Sequence, residues 1–202
     1  MTMLDQDRKA SPKAEVRRQQ ILDAAAECFR KSGFHGASMS EIAKSFGMSA
    51  GHIYNYFDSK ESIIQALVQR DLDQTLERIA KLQGEKDILK AMLGTVDEGV
   101  QRRIARSELD TEILAEAARN PKIAQVVQRA DTVIRDKVHL LLLGILDEKS
   151  QQPACERTIS AKATILMALF DGLQIRAIRH PNLQAEEVGT VLRSVITEML
   201  QN

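Results

Sequence analysis

The chain has 202 residues, of which 44% are apolar and 28% are charged. This composition is typical of a folded protein with one domain or two small ones, and it excludes a disordered or fibrous chain. Basic and acidic side chains number 28 each, so any electrostatic specialisation must be local, while two widely separated cysteines exclude a disulfide framework and indicate a reducing compartment.

The first eleven residues are polar, and we expect them to form a flexible arm. They contain no apolar stretch followed by a cleavage site. The most apolar run, residues 140–146, is much shorter than the ~20 residues needed to span a bilayer. The sequence therefore predicts a cytoplasmic protein without a membrane segment.

Apolar residues recur at spacings of three and four, which predicts an all-α fold. The early part of the chain contains four helix starts. Ser11 precedes a proline that suits the first helical position, and Ser38 with Glu41 forms a capping-box pattern. Gly47 ends the second helix and Ser49 caps the third. The predicted helices cover about 12–32, 39–46, 50–55 and 59–81.

Longer helices are predicted further along the chain, with breaks where a residue precedes proline, at 120–121, 152–153 and 180–182. These helices cover about 86–105, 107–119, 121–149, 155–179 and 184–201. In the last one, apolar residues from Val188 to Met199 form one stripe, as expected of a helix packed against a partner.

Aromatic residues divide the chain into two parts, because all but Phe170 lie before residue 58. A small unit needs bulky rings to build a core from few residues, whereas long helices pack with aliphatic side chains. We therefore expect an N-terminal domain at 12–60 and a larger helical domain at 61–202.

Residues 38–57 have the layout of a helix-turn-helix, in which two short helices flank a glycine and the second is small enough to enter a DNA groove. The alternative is a helical corner in an unrelated bundle. Side chains that packing does not require include small residues, hydroxyls, an amide and an imidazole, which suit contacts with phosphates and base edges. These outward residues are Ser49, Ala50, Gly51, His52, Tyr54, Asn55 and Tyr56, and Lys60 adds a cation beside them.

Through residue 57 the chain has eight basic and six acidic residues, a net charge of +2. Such a mild charge indicates weak DNA binding by one copy. Useful affinity would require two copies on a symmetric, palindromic site.

The region 15–70 resembles the DNA-binding domain of the TetR family of bacterial transcriptional regulators. The resemblance rests on ILDAAAECFRKSGF (21–34), IAKSFGMSAGHIYNYF (42–57) and SKESI (59–63). It implies that the third helix is the recognition helix, that Ser38, Tyr54, Tyr56 and Lys60 contact phosphates, and that Ser49–His52 and Asn55 lie where bases are read. His52 departs from the family pattern, which usually has threonine or alanine there.

The resemblance also implies a helical C-terminal domain that forms a homodimer through its last two long helices and holds a small-molecule effector among the central ones. Asp171 is a candidate effector contact, or else a capped or interface-paired carboxylate. Gly94 and Gly99 mark either a kink over a cavity or a close helix crossing.

We expect no catalysis, cofactor or metal, since the sequence shows no nucleophile–base set, phosphate-binding glycine loop or metal-ligand spacing. The predicted function is a DNA-binding repressor released from its operator by an effector. The alternative is a helical small-molecule-binding or enzymatic dimer that retains the N-terminal module without regulatory use.

Overall fold

A computed structural model describes residues 12–147 and 155–201. Within these residues all secondary structure is helical, which confirms the all-α prediction. The helices are α1 (Pro12–Gly36), α2 (Met39–Ser45), α3 (Ala50–Ile53), α4 (Lys60–Gln83), α5 (Ile88–Gly94), α6 (Val96–Ala117), α7 (Pro121–Asp147), α8 (Glu156–Arg179) and α9 (Ala185–Gln201). The predicted arm, the Ser11 cap and the break at 152–153 lie outside the described residues.

The chain divides into two compact units, one through Leu67 and one from Val68 onward. Helix α4 crosses this division, so a single helix carries the chain from the first unit into the second. The sequence placed the domain boundary in the same region, between residues 58 and 67.

In the first unit, α2 packs against α1 and α3. Apolar side chains of these helices and of the first turns of α4 form a core around Phe29, which is 1% exposed. The sequence predicted that α1 would end at Gly33. In the structure Gly33 adopts φ 68° and ψ 167°, a conformation essentially restricted to glycine, and a further helical turn follows to Gly36. The ring of Phe34 then lies 5.5 Å from that of Phe29, between centroids.

In the second unit, α6 packs against α7, α8 and α9. Val100, Leu142 and Ile196 lie in its core, each 0–1% exposed. The sequence predicted a break near residue 106, but α6 continues through it and the break lies at Thr95. There the backbone has φ −98° and ψ 0°, and the Thr95 hydroxyl donates a hydrogen bond to the Met92 carbonyl at 2.9 Å. Two helices cover this stretch, as predicted, but they are divided at Thr95 rather than near residue 106.

Some large apolar side chains of α8 and α9 do not enter this core. Ile165 and Ile175 on α8 and Val191 on α9 are 53–64% exposed. On α8 the exposed small residues Ala161, Ala168 and Gly172 lie in line with these isoleucines, at spacings of three and four. The second unit therefore presents an apolar stripe on α8 and a second apolar patch on α9.

Candidate nucleic-acid interface and internal cavity

The capping box that opens α2 is present, as predicted. The Ser38 hydroxyl accepts a hydrogen bond from the Glu41 amide at 3.1 Å, and the Glu41 carboxylate accepts one from the Ser38 amide at 2.7 Å. These bonds to its charged form lower the pKa of Glu41. Ser38 is exposed, so an anion outside the cap can reach its side chain.

The turn between α2 and α3 is formed around Gly47, whose φ is +68°. The Ala43 carbonyl accepts the Met48 amide at 2.8 Å and the Phe46 amide at 3.2 Å, which closes the turn. Ala43 itself is 1% exposed, because α2 and its neighbours approach closely there. The role predicted for a turn glycine is found at Gly47.

Helix α3 is short, and its side chains divide into an anchor and an outward face. Ser49 caps it by accepting the His52 amide at 3.3 Å, and Ile53 is buried at 1% exposure. The predicted outward residues are exposed except for Ala50 and Tyr56, which are half-buried; the exposed ones are Ser49, Gly51, His52, Tyr54 and Asn55. The helix ends at Ile53, two residues earlier than predicted, and residues 54–56 form a turn.

Two arginines of α1 contact this region, and neither was predicted from the sequence. Arg18 lies over the Phe57 ring, 4.2 Å from its centroid, and donates to the Tyr56 carbonyl at 3.0 Å. Arg17 lies 4.7 Å above the Phe46 ring. Cation–π contacts and a charge-assisted bond thus hold the end of the α3 turn against α1. The contacts join residues 29 to 39 positions apart, so no local pattern indicates them.

Lys60 was expected to supply a cation to the outward surface. Its ammonium donates to the Phe34 carbonyl at 2.6 Å and the Ala37 carbonyl at 2.7 Å, and it lies 4.5 Å from the Phe34 ring centroid. Lys60 therefore binds one carbonyl in the last turn of α1 and one just after it. Two of its three N–H groups are used in this way, which leaves one for a phosphate.

The second unit encloses a cavity of about 380 Å³, within the range of small-molecule sites, roughly 300–1,000 Å³. The described lining residues divide by helix. All the charged ones come from α4 and α6, whereas α7, α8 and α9 contribute only apolar side chains, among them Leu141, Leu166 and Phe170. Gly99 lies where α6 crosses α8, since a β-carbon there would come 3.1 Å from the Phe170 ring. Gly99 thus marks both a close helix crossing and the cavity wall.

Asp171, the predicted effector contact, is not among the lining residues that the structure describes. Its side chain is 57% exposed and forms an ion pair with Arg103 at 3.6 Å. Arg103 does line the cavity. Asp171 is therefore not a described wall residue itself, but it pairs with Arg103, which is one. The arginines themselves were not predicted from the sequence.

Residues 12–147 and 155–201 contain no group of three or more His, Cys, Asp or Glu arranged to hold a metal ion. None of the helices in these ranges is both long and apolar enough to cross a membrane.

The first unit has two capped short helices joined by a glycine turn, the second of them with an exposed face, and this arrangement defines a helix-turn-helix protein with a helical companion unit. Two family models match the chain. Residues 21–67 match "Bacterial regulatory proteins, tetR family", and residues 85–201, more than half of the chain, match "BetI-type transcriptional repressor, C-terminal". The chain belongs to the TetR family of bacterial transcriptional regulators.

Individual relatives agree with this assignment. The transcriptional regulator UidR of Escherichia coli K12 is 34% identical over 125 residues, which cover 62% of this chain and 64% of UidR, less than two thirds of that relative. The structure of Salmonella enterica GusR superposes with a TM-score of 0.77 at 25% identity, covering 97% of this chain and all of GusR. The structure of Bacillus subtilis FadR in complex with stearoyl-CoA superposes with a TM-score of 0.73 at 19% identity, covering 88% and 96% of the two chains.

Proposed function

We propose that the chain is a DNA-binding transcriptional repressor that acts as a homodimer on a palindromic operator and is released by a small-molecule effector. The single observation that carries the proposal is that the side chains of α3 divide into a buried anchor and an exposed face. Ile53 anchors the helix, while most of the neighbouring small and hydrogen-bonding residues are exposed, namely Ser49, Gly51, His52, Tyr54 and Asn55. An α-helix with a narrow, polar outer face fits the major groove of duplex DNA.

Within this interface, side chains divide by the chemistry they offer. Hydroxyls and the remaining Lys60 N–H suit phosphate oxygens, which fix position without reading sequence, and these come from Ser38, Tyr54, Tyr56 and Lys60. Small residues allow the backbone to approach the groove, and the His52 and Asn55 side chains can form hydrogen bonds with base edges. Ser49, Ala50 and Gly51 are the small residues at the start of the helix.

The dimer is proposed to form through α8 and α9. Contiguous apolar surface on a folded protein marks an interaction site, and the α8 stripe with the α9 patch has this character. Small residues between Ile165 and Ile175 would let two copies of α8 approach closely. Two copies would present two α3 helices to half-sites one helical turn apart, about 34–36 Å in B-DNA.

Release is proposed to follow occupation of the cavity. An effector that binds better to a DNA-incompetent arrangement of the dimer shifts the population away from operator binding. The cavity's size and mostly apolar wall support a small-molecule site, and the FadR complex with stearoyl-CoA supports the use of this fold for such ligands. Binding to DNA places the protein in the cytoplasm, where the chromosome lies.

The proposal is tested by selecting bound duplexes from a random library and measuring the salt dependence of their affinity by fluorescence anisotropy. We expect palindromic sequences to be enriched and the affinity to fall steeply with salt. The variant Gln65→Ala, at an exposed position outside the helix-turn-helix, should bind like the wild type. A folded protein that enriches no sequence at low salt would contradict regulation and favour a small-molecule-binding or enzymatic dimer.

A further inference from the structure

The polarity of the cavity wall is divided in space, and this division indicates what kind of ligand fits. Met92, Val96 and Ile196, on the apolar side, are 1–7% exposed. The side chains of Arg102, Arg103 and Arg106 on α6 are 23–33% exposed. The wall therefore has a dry aliphatic side and a cationic side that reaches solvent.

The cationic side consists of five basic side chains against two carboxylates, Asp71 and Glu98. Most of the cations already have a carboxylate partner. Arg102 pairs with Glu98 at 2.8 Å, and Arg106 pairs with Asp71 at 3.3 Å and with Asp110 at 3.1 Å. Arg103 pairs with Asp171, as described above, and Lys81 pairs with Glu77 at 3.0 Å. Four of the five cations are thus neutralised by the protein itself.

Arg78 on α4 is the exception. Among the residues that the structure describes, no carboxylate lies within 4 Å of its guanidinium, whose one hydrogen bond there goes to the Thr75 hydroxyl at 2.8 Å. Loss of solvation and the nearby positive charges of Arg102 and Arg106 lower the pKa of Arg78, although Asp71 and Glu98 oppose the shift. The half-buried guanidinium is therefore a charge without a close counter-ion.

We infer that the effector is an amphipathic organic anion, with a carboxylate or phosphate group bound by Arg78 and its neighbouring α6 arginines and an aliphatic body against α7, α8 and α9. The planar guanidinium matches both oxyanions with paired N–H donors, and such charge-assisted bonds are the strong ones. An apolar body is required because the described lining residues of these three helices all have apolar side chains. A cationic ligand would instead meet uncompensated like charge.

This inference rests on the proposed effector function but concerns the ligand's chemistry, so it is tested by direct binding. Isothermal titration calorimetry of the full chain is done with decanoate, decyl phosphate, decanamide and decylamine, all below micelle-forming concentrations. The four probes share a tail and differ in headgroup. We expect at least one anion to bind about tenfold or more tightly than decanamide, and decylamine to bind weakest.

Variants locate the headgroup and the tail. Arg78→Gln is expected to weaken binding of the preferred anion about tenfold, while Arg78→Lys retains part of the affinity because it keeps the charge and loses the planar donor pair. Val138→Phe, which fills the apolar side, should also weaken binding. The matched control is Arg129→Gln, an exposed arginine of α7 outside the cavity lining, with wild-type affinity expected. Circular dichroism confirms that each variant is folded.

Equal binding of decanamide and the anions, tighter binding of decylamine, or no binding of either anion to the folded protein would overturn the inference. Wild-type anion affinity in folded Arg78→Gln would also overturn it. Operator affinity is measured separately. Binding of DNA without binding of anions refutes the ligand class alone, whereas binding of anions without binding of DNA refutes the regulator and leaves the ligand class standing.

Discussion

Alanine at Gly47 and alanine at Gly51 should change the stability of the N-terminal unit in opposite directions. Gly47 has φ +68° and no heavy atom within 4 Å of a β-carbon built there, so the cost of alanine is purely conformational. A left-handed alanine costs about 1–2 kcal/mol. Gly51 is exposed, helical and equally free of neighbours, so alanine should stabilise α3 by up to about 1 kcal/mol. The two variants should therefore differ by about 2 kcal/mol.

The assay uses a reporter that the sequence provides. The chain has no tryptophan, and its two tyrosines are Tyr54 and Tyr56, both in the N-terminal unit. Urea denaturation followed by tyrosine fluorescence therefore reports the unfolding of that unit. The free energy of unfolding is obtained by linear extrapolation, and an unchanged denaturant slope confirms that only stability has changed.

The DNA affinities of the same two variants should follow the opposite order to their stabilities. At Gly51 a methyl group enters the surface that faces the groove, so the more stable variant should bind DNA less tightly. Gly47→Ala, assayed where it is fully folded, should bind close to the wild type. Stability of Gly47→Ala equal to the wild type would refute the role of the turn, and wild-type DNA affinity of Gly51→Ala would refute close backbone approach.

Other predictions address the cap, the base contacts and the dimer. Tyr54→Ala should weaken binding to every duplex in a site library, whereas Asn55→Ala should reorder the preferred sequences; equal losses in both would contradict the division between phosphate and base contacts. Ser38→Ala should lower the stability of the N-terminal unit by about 1 kcal/mol, measured by tyrosine fluorescence. Because the pKa of Glu41 is lowered in the folded state, its cap contributes its full stabilisation of the folded protein at neutral pH. This stabilisation is lost as the pH falls below the ordinary glutamate range and through the lowered pKa. Glu41→Gln should remove this part of the acid dependence. Ile175→Asp puts a charge into the α8 stripe and should yield monomers in sedimentation velocity, unless α8 lies outside the interface.

The helix-turn-helix could be predicted closely because its signals are local. A capping box joins residues three apart, and a glycine turn depends on the backbone of one residue. The structure confirms the pairs at Ser38 and Ser49 and the positive φ at Gly47. The prediction was less accurate at helix ends. The third helix stops at Ile53 rather than Asn55, because helix ends depend on which turn the packed core accommodates.

Contacts between distant residues could not be predicted in the same way. Arg18 stacks on Phe57, and Lys60 binds carbonyls at the end of α1; neither pair has a characteristic spacing. The sequence placed Lys60 near the DNA surface by chain position alone. In the structure the same ammonium also holds the end of the first helix, so Lys60→Ala is expected to combine lost stability with lost DNA affinity.

The cavity arginines show why charge counting misses a ligand site. A charged residue on an amphipathic helix is usually solvated, and the chain's equal numbers of basic and acidic residues give no excess to explain. Arg78 is an exception to that rule. Its long aliphatic stem lets the charged head lie against apolar surface, and the fold brings the α6 arginines beside this charge. The distinguishing property is the pairing of each charge. Three of the pairs are local, between residues four apart, whereas the pairs of Arg106 with Asp71 and of Arg103 with Asp171 join different helices and depend on the fold. In this cluster all but one of the cations pair with a carboxylate. The formal charge counted from the sequence is therefore near zero, yet one guanidinium stays unpaired where an anion can bind.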